Sequence, residues 1–110
     1  MTQQKRKILI VDDSKAMRSI VMRSLRQAGY EGHAFEEATN GAEALTAIRA
    51  NPPDLVLADW NMPEMNGLDL LKAVRSKTKY DSVPVVMVTT ETEMEQMAAA
   101  LEAGANEYVM

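Results

Sequence analysis

The sequence contains no cysteine and a single histidine, His33. A disulfide framework and a Cys-ligated zinc site are therefore excluded, and an isolated imidazole indicates a surface or edge role for His33. No apolar run approaches the roughly 18 residues of a membrane-spanning helix, and no signal-peptide pattern opens the chain. These absences predict a cytoplasmic protein without a membrane segment.

An excess of positive charge is also lacking. The formal net charge is −4, which argues against a nucleic-acid surface. The only basic run, Lys5-Arg6-Lys7, is typical of a solvated lead-in to a strand. A length of 110 residues, with 46% hydrophobic and 25% charged residues, predicts one globular domain over 1–110.

Short β-rich runs recur along the chain. Those at 8–11, 55–58 and 83–88 are continuously apolar, which suits parallel strands covered on both faces. The run at 34–38 is weaker, as an edge strand would be, and 106–110 could begin a fifth strand. The sequence therefore predicts a sheet of up to five strands.

Apolar stripes at helical spacing lie between these runs. The first follows Ser14, a plausible N-cap, and ends near Gly29. The four stripes are Met17-Ile20-Val21-Leu25, Ala42-Leu45-Ile48, Leu68-Leu71-Val74 and Met94-Met97-Ala98-Leu101. Repeated strand-helix alternation predicts one α/β domain, an open parallel sheet with right-handed crossovers and helices on both faces.

Polar residues follow the predicted strands where ligands bind in such sheets, outside the carboxyl ends. Asp12-Asp13 follow the first strand, Asp59 the third and Thr89-Thr90-Glu91 the fourth. Carboxylates at one sheet edge repel each other unless a cation shares them. Oxygen ligands suit Mg²⁺, which takes one or two carboxylates together with phosphate oxygens. The pattern predicts a divalent-metal site that also accepts an anionic group.

Asp59 is the best candidate nucleophile of this set. An aspartate carboxylate can attack phosphorus to give an acyl phosphate, and Asp59 stands alone at its strand end. The pair Asp12-Asp13 suits the metal, and the Thr89 hydroxyl could donate to a phosphoryl oxygen. The loop that contains Pro63 and Gly67 could turn the backbone carbonyl of Asn61 toward the metal.

Each of these residues, taken singly, has a structural alternative. An acidic pair after a strand can be a turn or a helix cap, and Thr89 can simply end a β-branched strand. Tyr108 alone can be a packed aromatic residue. The coincidence of suitable groups at three strand ends favours the functional interpretation.

Four segments together resemble a bacterial two-component response-regulator receiver domain. They are ILIVDDS at 8–14, LVLADWNMPEMNGLDLLK at 55–72, VPVVMVTTE at 83–91 and AGANEYVM at 103–110. The second segment is especially similar to the single-domain chemotaxis regulators of the CheY type. The resemblance implies a flavodoxin-like fold with strand order 2-1-3-4-5.

The resemblance also implies roles for the acids. Asp59 would be the phosphoacceptor. Asp13, Asp59 and the backbone carbonyl of Asn61 would bind Mg²⁺, or Mn²⁺ in its place, and Asp12 would act mainly through a metal-bound water.

A switch is implied as well. Thr89 would move toward the phosphoryl group, and the aromatic rotamer of Tyr108 would follow Thr89. Asn61 and Glu91 would tune the lifetime of the acyl phosphate. The surface near the fourth helix and fifth strand would change shape for a partner.

The implied activity is regulatory rather than enzymatic. The domain would take a phosphoryl group from a histidine kinase or a small acyl phosphate and assist its own phosphorylation and dephosphorylation. Its output partner would be a downstream effector such as a flagellar motor protein. A dehalogenase-like phosphatase is disfavoured, because Asp12-Asp13-Ser14 does not supply an Asp-x-Asp motif.

One departure from the family pattern concerns the C-terminus. The family continues with Lys-Pro and a fifth helix, whereas this sequence ends at Met110, so we interpret it as a C-terminally incomplete receiver. A bare apolar face would then favour a dimer or a domain swap. The missing lysine keeps open an alternative function, a phosphorylation-independent interaction or assembly module.

Overall fold

Strands and helices alternate along the whole described chain. The computed structural model describes residues 6–30, 32–59, 62, 65–88 and 94–109, with the backbone alone at 94–97 and 107–109. The strands are β1 (Lys7–Val11), β2 (Ala34–Ala38), β3 (Leu55–Asp59), β4 (Val85–Val88) and β5 (Glu107–Val109). The α-helices are α1 (Lys15–Leu25), α2 (Gly41–Ala50), α3 (Gly67–Arg75) and α4 (Met94–Glu102). Single helical turns lie at Arg26–Tyr30 and Thr78–Tyr80.

The strands form one parallel sheet in the order β2-β1-β3-β4-β5. This confirms the predicted α/β fold and its strand order. β4 begins at Val85 rather than at the predicted residue 83. Pro84 has no N–H to give to a ladder, although its carbonyl accepts from the Val56 N–H at 2.9 Å.

Local sequence signals fix where the helices begin. The Ser14 Oγ accepts from the Met17 N–H at 3.2 Å, which confirms Ser14 as the N-cap of α1. The side chains of Asn40 and Asn66 cap α2 and α3 in the same way. The turn that follows α1 contains Gly29 at φ 105°, a left-handed conformation that glycine adopts without strain.

The main core lies on one face of the sheet, beneath α2, α3 and α4. Its strand residues are Leu9, Val11, Ala38, Val56, Ala58, Val85 and Met87, and its helix residues are Ala44, Ile48, Leu70, Leu71, Val74 and Ala100. Burying this many aliphatic side chains supplies the main driving force for folding. No helix within the described ranges is long and apolar enough to span a membrane.

Helix α1 lies on the opposite face, where Ile8 and Ile10 of β1 are buried. The predicted α1 stripe is only partly buried: Met17 is 40% exposed and Ile20 50% exposed. Arg18 is instead the buried residue of this helix. The correction has a physical reason, because a stripe is buried only where other elements cover both of its flanks.

Candidate functional site

Three carboxylates meet at the carboxyl edge of the sheet. β1 and β3 are neighbours, and Val11 pairs with Ala58, so the residues that follow them stand side by side. One carboxylate oxygen from each of Asp12, Asp13 and Asp59 lies within 4.8 Å of the others. The structure therefore brings together the acids that the sequence assigned to one strand edge, in an arrangement that could hold a cation.

The β1–α1 turn fixes the direction of Asp12. Its Oδ1 accepts from the Ser14 N–H at 2.8 Å, and its backbone N–H donates to the Ala38 carbonyl at 3.1 Å. Asp12 is only 9% exposed, whereas Asp13 is exposed and Asp59 is half-buried. The cluster thus runs from a nearly buried acid to a solvent-facing one.

Electrostatic repulsion is built into this cluster. Burial raises the pKa of Asp12, the Ser14 N–H lowers it, and the neighbouring charge of Asp13 raises it again. The net shift is upward, so the ionised form of Asp12 is held at a cost. A divalent cation would relieve that cost, and a cluster of oxygen ligands is the kind that Mg²⁺ and Mn²⁺ accept.

Arg18 of α1 lies directly behind the cluster. It is 7% exposed; its Nη1 donates to the Asp12 carbonyl at 2.6 Å and its Nε to Glu37 Oε1 at 2.9 Å. Sequence reasoning missed this residue. A signal was available, because Arg18 stands three residues before Val21 and seven before Leu25, on the apolar side of the helix.

Gly67 supports the Asp59 end of β3 from the other side. α3 begins at Gly67, and a Cβ there would overlap the backbone carbonyl of Asp59 and come within 2.6 Å of Met87 Cε. The Asn66 Oδ1 accepts from the Asp69 N–H at 2.9 Å, which fixes the start of the helix. Glycine is therefore required by a close approach of helix and strand.

The other predicted site residues lie wholly or partly outside the part of the chain that the structure describes. Asn61, Thr89 and Glu91 lie outside the described residues. Tyr108 lies in β5, where its backbone pairs with that of Met87, and its side chain is outside the description. The structure therefore assembles the acid cluster and leaves the predicted switch and lifetime residues as predictions.

Comparison with known proteins gives one consistent family. The family model of the response regulator receiver domain matches residues 8–110. The chain is 47% identical over 105 residues to the chemotaxis protein CheY1 of Helicobacter pylori, covering 94% of this chain and 83% of that protein.

Solved structures agree with the sequence comparison. The chemotaxis protein CheY4 of Vibrio cholerae superposes with a TM-score of 0.86 at 36% identity, covering 97% of this chain and 87% of that one. The Mn²⁺-bound form of response regulator Rcp1 also gives a TM-score of 0.86, at 26% identity, covering 96% and 80%. The fold and the sequence thus point to the same class of protein.

Proposed function

The chain belongs to the response regulator receiver domain family, and on that premise we propose that Asp59 is its phosphoacceptor. It is a receiver domain of the CheY chemotaxis type, a regulatory domain of two-component signalling rather than an enzyme in the usual sense. The observation that carries the proposal is the approach of the Asp12, Asp13 and Asp59 carboxylate oxygens to within 4.8 Å of one another at the end of β3.

The proposed reaction moves a phosphoryl group onto the side chain of Asp59. A carboxylate oxygen attacks the phosphorus of a histidine kinase's phosphohistidine, and a P–O bond forms. The P–N bond breaks, its electron pair stays with the imidazole nitrogen, and that nitrogen takes up a proton. With a small acyl phosphate as donor, a P–O bond breaks instead and a carboxylate leaves. Attack by water later releases inorganic phosphate and restores the Asp59 carboxylate.

Asp12, Asp13 and Asp59 would hold the cofactor, together with the backbone carbonyl of Asn61. This assignment rests on the ligand atoms, because three converging carboxylates provide the oxygen ligands that Mg²⁺ prefers. Mn²⁺ accepts the same ligands and could replace Mg²⁺. When bound, the cation would offset the negative charge on the transferring phosphoryl group. The Mn²⁺-bound state of the similar regulator Rcp1 supports this assignment by analogy.

The conformational part of the proposal involves a residue that follows β4 in the sequence and a residue of β5. Thr89 would donate to a phosphoryl oxygen, Tyr108 would change rotamer in response, and the surface of α4 and β5 would present the result to a partner. Asn61 and Glu91 would set how long the acyl phosphate survives. Because the chain is similar to a chemotaxis protein, we propose a histidine kinase as the donor and a flagellar motor protein as the target.

The α4–β5 connection is anchored in a way that suits such a surface. Arg75 donates through Nε to the Gly104 carbonyl at 3.0 Å, through Nη1 to the Tyr80 carbonyl at 3.1 Å and through Nη2 to Asn106 Oδ1 at 2.9 Å. These bonds tie the end of α3 to the start of β5. A partner surface at α4 and β5 would therefore have a fixed base.

The dimer or domain swap predicted from the sequence gains no support from the structure of the single chain, and it stays a prediction. The same holds for the assembly-module alternative.

Incubation with acetyl phosphate and Mg²⁺, followed by intact-mass measurement, tests the proposal. We expect the mass of one phosphoryl group to be added, to require Mg²⁺ and to be absent in Asp59→Asn. Asp81→Asn is the matched control, because it removes one carboxylate from an exposed turn outside the cluster. Equal phosphorylation of Asp59→Asn and the control would refute the assignment.

A further inference from the structure

We propose that Arg18 is a positioning residue for the cation site, an inference that rests on the proposed function of the acid cluster. Arg18 is not one of the three converging acids. It contacts the backbone of Asp12, whose side chain is one of the three converging acids. Its role would be to hold the β1–α1 turn in the geometry that brings the acids together.

The contacts of Arg18 close a ring around that turn. The Asp12 N–H donates to the Ala38 carbonyl at 3.1 Å, and the Asp12 carbonyl accepts from Arg18 Nη1 at 2.6 Å. Arg18 Nε donates to Glu37, the residue before Ala38 on β2, at 2.9 Å. The backbone of Asp12 is therefore fixed on both sides by the edge strand, directly on one side and through Arg18 on the other.

Burial makes this arrangement more than a surface ion pair. The Arg18 side chain is 9% exposed, whereas that of Glu37 is 42% exposed. A buried guanidinium is costly unless its N–H groups donate hydrogen bonds. Because the group is planar with several N–H donors, it can donate to a carbonyl and a carboxylate at the same time. The buried donor is thus committed to the Asp12 carbonyl.

The positive charge of Arg18 and its hydrogen bonds are expected to have opposite effects on Mg²⁺ binding. A positive charge beside a cation site opposes cation binding by simple electrostatics. Removing that charge would therefore tighten Mg²⁺ binding if charge were the only contribution of Arg18. If Arg18 acts by positioning, its removal weakens Mg²⁺ binding. The sign of the change separates the two roles.

The experiment is calorimetric titration of Mg²⁺ into the wild-type chain, Arg18→Met and Arg23→Met. Arg23 is the matched control, because it is an exposed residue in the last turn of the same helix and its replacement removes the same charge. Loss of a group that orients metal ligands typically costs about 10–100-fold in affinity, and we expect Arg18→Met to weaken Mg²⁺ binding by roughly tenfold or more. Arg23→Met should leave the affinity within about twofold of the wild type, because an exposed charge is screened.

A second measurement needs no metal. The Ser14 N–H donates to Asp12 Oδ1 at 2.8 Å, so its hydrogen exchange reports whether the turn opens. We expect faster exchange at Ser14 in Arg18→Met than in the wild type or in Arg23→Met. Should Arg18→Met lose its cooperative melt, Glu37→Gln takes its place, because that change weakens the anchor at a half-exposed carboxylate.

The outcomes separate this inference from the proposed function. Absence of Mg²⁺ binding in the wild type would refute the proposed metal site, and Ser14 exchange would then decide the role of Arg18. Wild-type binding with equal or tighter binding in Arg18→Met would overturn the positioning role and leave the metal site standing. Unchanged Ser14 exchange in both Arg18→Met and Glu37→Gln would overturn it as well.

Discussion

Gly67 lies against the backbone carbonyl of Asp59, so closely that a Cβ on Gly67 would overlap that oxygen. The first residue of α3 therefore packs directly on the last residue of β3. The proposed phosphoacceptor stands at a strand end that a capped helix holds in place. The position of Asp59 matters because small displacements of a reacting group slow a reaction considerably.

Replacement of Gly67 by alanine should disturb both stability and the site. The added methyl group must displace either the Asp59 carbonyl or α3, and we expect a loss of about 1–3 kcal/mol in the free energy of unfolding. We also expect slower phosphorylation by acetyl phosphate. Urea denaturation measures the first effect and intact mass against time the second. Gly32→Ala is the control, because a Cβ there meets nothing within 4 Å, and a comparable loss in that variant would contradict the explanation.

The raised pKa of Asp12 predicts how the stability of the folded chain depends on pH. Because the pKa of Asp12 is raised in the folded chain, the folded state binds a proton more readily than the unfolded state between the two pKa values. Without Mg²⁺, this group therefore lowers stability as pH rises through that window, and the deficit persists above it. Asp12→Asn, which can still accept from the Ser14 N–H, should be more stable than the wild type at neutral pH.

Urea denaturation of the wild type and Asp12→Asn over a pH series, in the presence of a chelator, checks this prediction. The stability advantage of Asp12→Asn should shrink as the pH falls toward the ordinary range of an aspartate. An advantage that stays constant with pH would show that the effect does not come from ionisation of Asp12.

A related prediction concerns Asp13, the exposed member of the cluster. Mg²⁺ should raise the melting temperature of the wild type, because a ligand that binds only the folded state stabilises it by mass action. Asp13→Asn should remove most of that rise by taking away one of the converging carboxylates. Thermal melts at increasing Mg²⁺ measure this, with Asp69→Asn as an exposed control at the start of α3. Equal Mg²⁺ responses in Asp13→Asn and the control would argue against the site.

Asn106 should be important for the α4–β5 connection. Its Oδ1 accepts from the Val85 N–H and from Arg75 Nη2, each at 2.9 Å. Asn106→Ala leaves a strand N–H without its acceptor, and we expect a loss of about 1–3 kcal/mol in the free energy of unfolding. Hydrogen exchange at Val85 should also become faster. Asn51→Ala, at the exposed end of α2, is the comparison, and a similar loss there would mean that the effect is not specific to this contact.

The sequence was most informative where the signal is local or follows from topology. Ser14 was predicted as an N-cap from its place before an apolar stripe, and its Oγ does accept from the Met17 N–H. The neighbourhood of Asp12 and Asp59 could be predicted, because the carboxyl ends of adjacent parallel strands meet at one edge. Neither inference required knowledge of how the helices pack.

Packing across the sheet was much less predictable. Ile20 belongs to the apolar stripe of α1 and yet is 50% exposed, whereas Arg18 is buried. Burial depends on which elements cover each flank of a helix, and hydrophobic spacing alone does not contain that information. The contact of Gly67 with Asp59 likewise depends on where α3 approaches β3, which the sequence pattern does not show.

The assignment of Asp59 as the phosphoacceptor is tested most directly by locating the phosphoryl group. Borohydride reduces an aspartyl phosphate to homoserine, and peptide mass spectrometry then reads the modified position. After incubation with acetyl phosphate and Mg²⁺, we expect the reduced residue to be Asp59 and the signal to disappear when Mg²⁺ is chelated. Reduction at Asp12 or Asp13 instead, or a phosphoryl group that resists borohydride because it is attached to a hydroxyl, would show that Asp59 is not the phosphoacceptor.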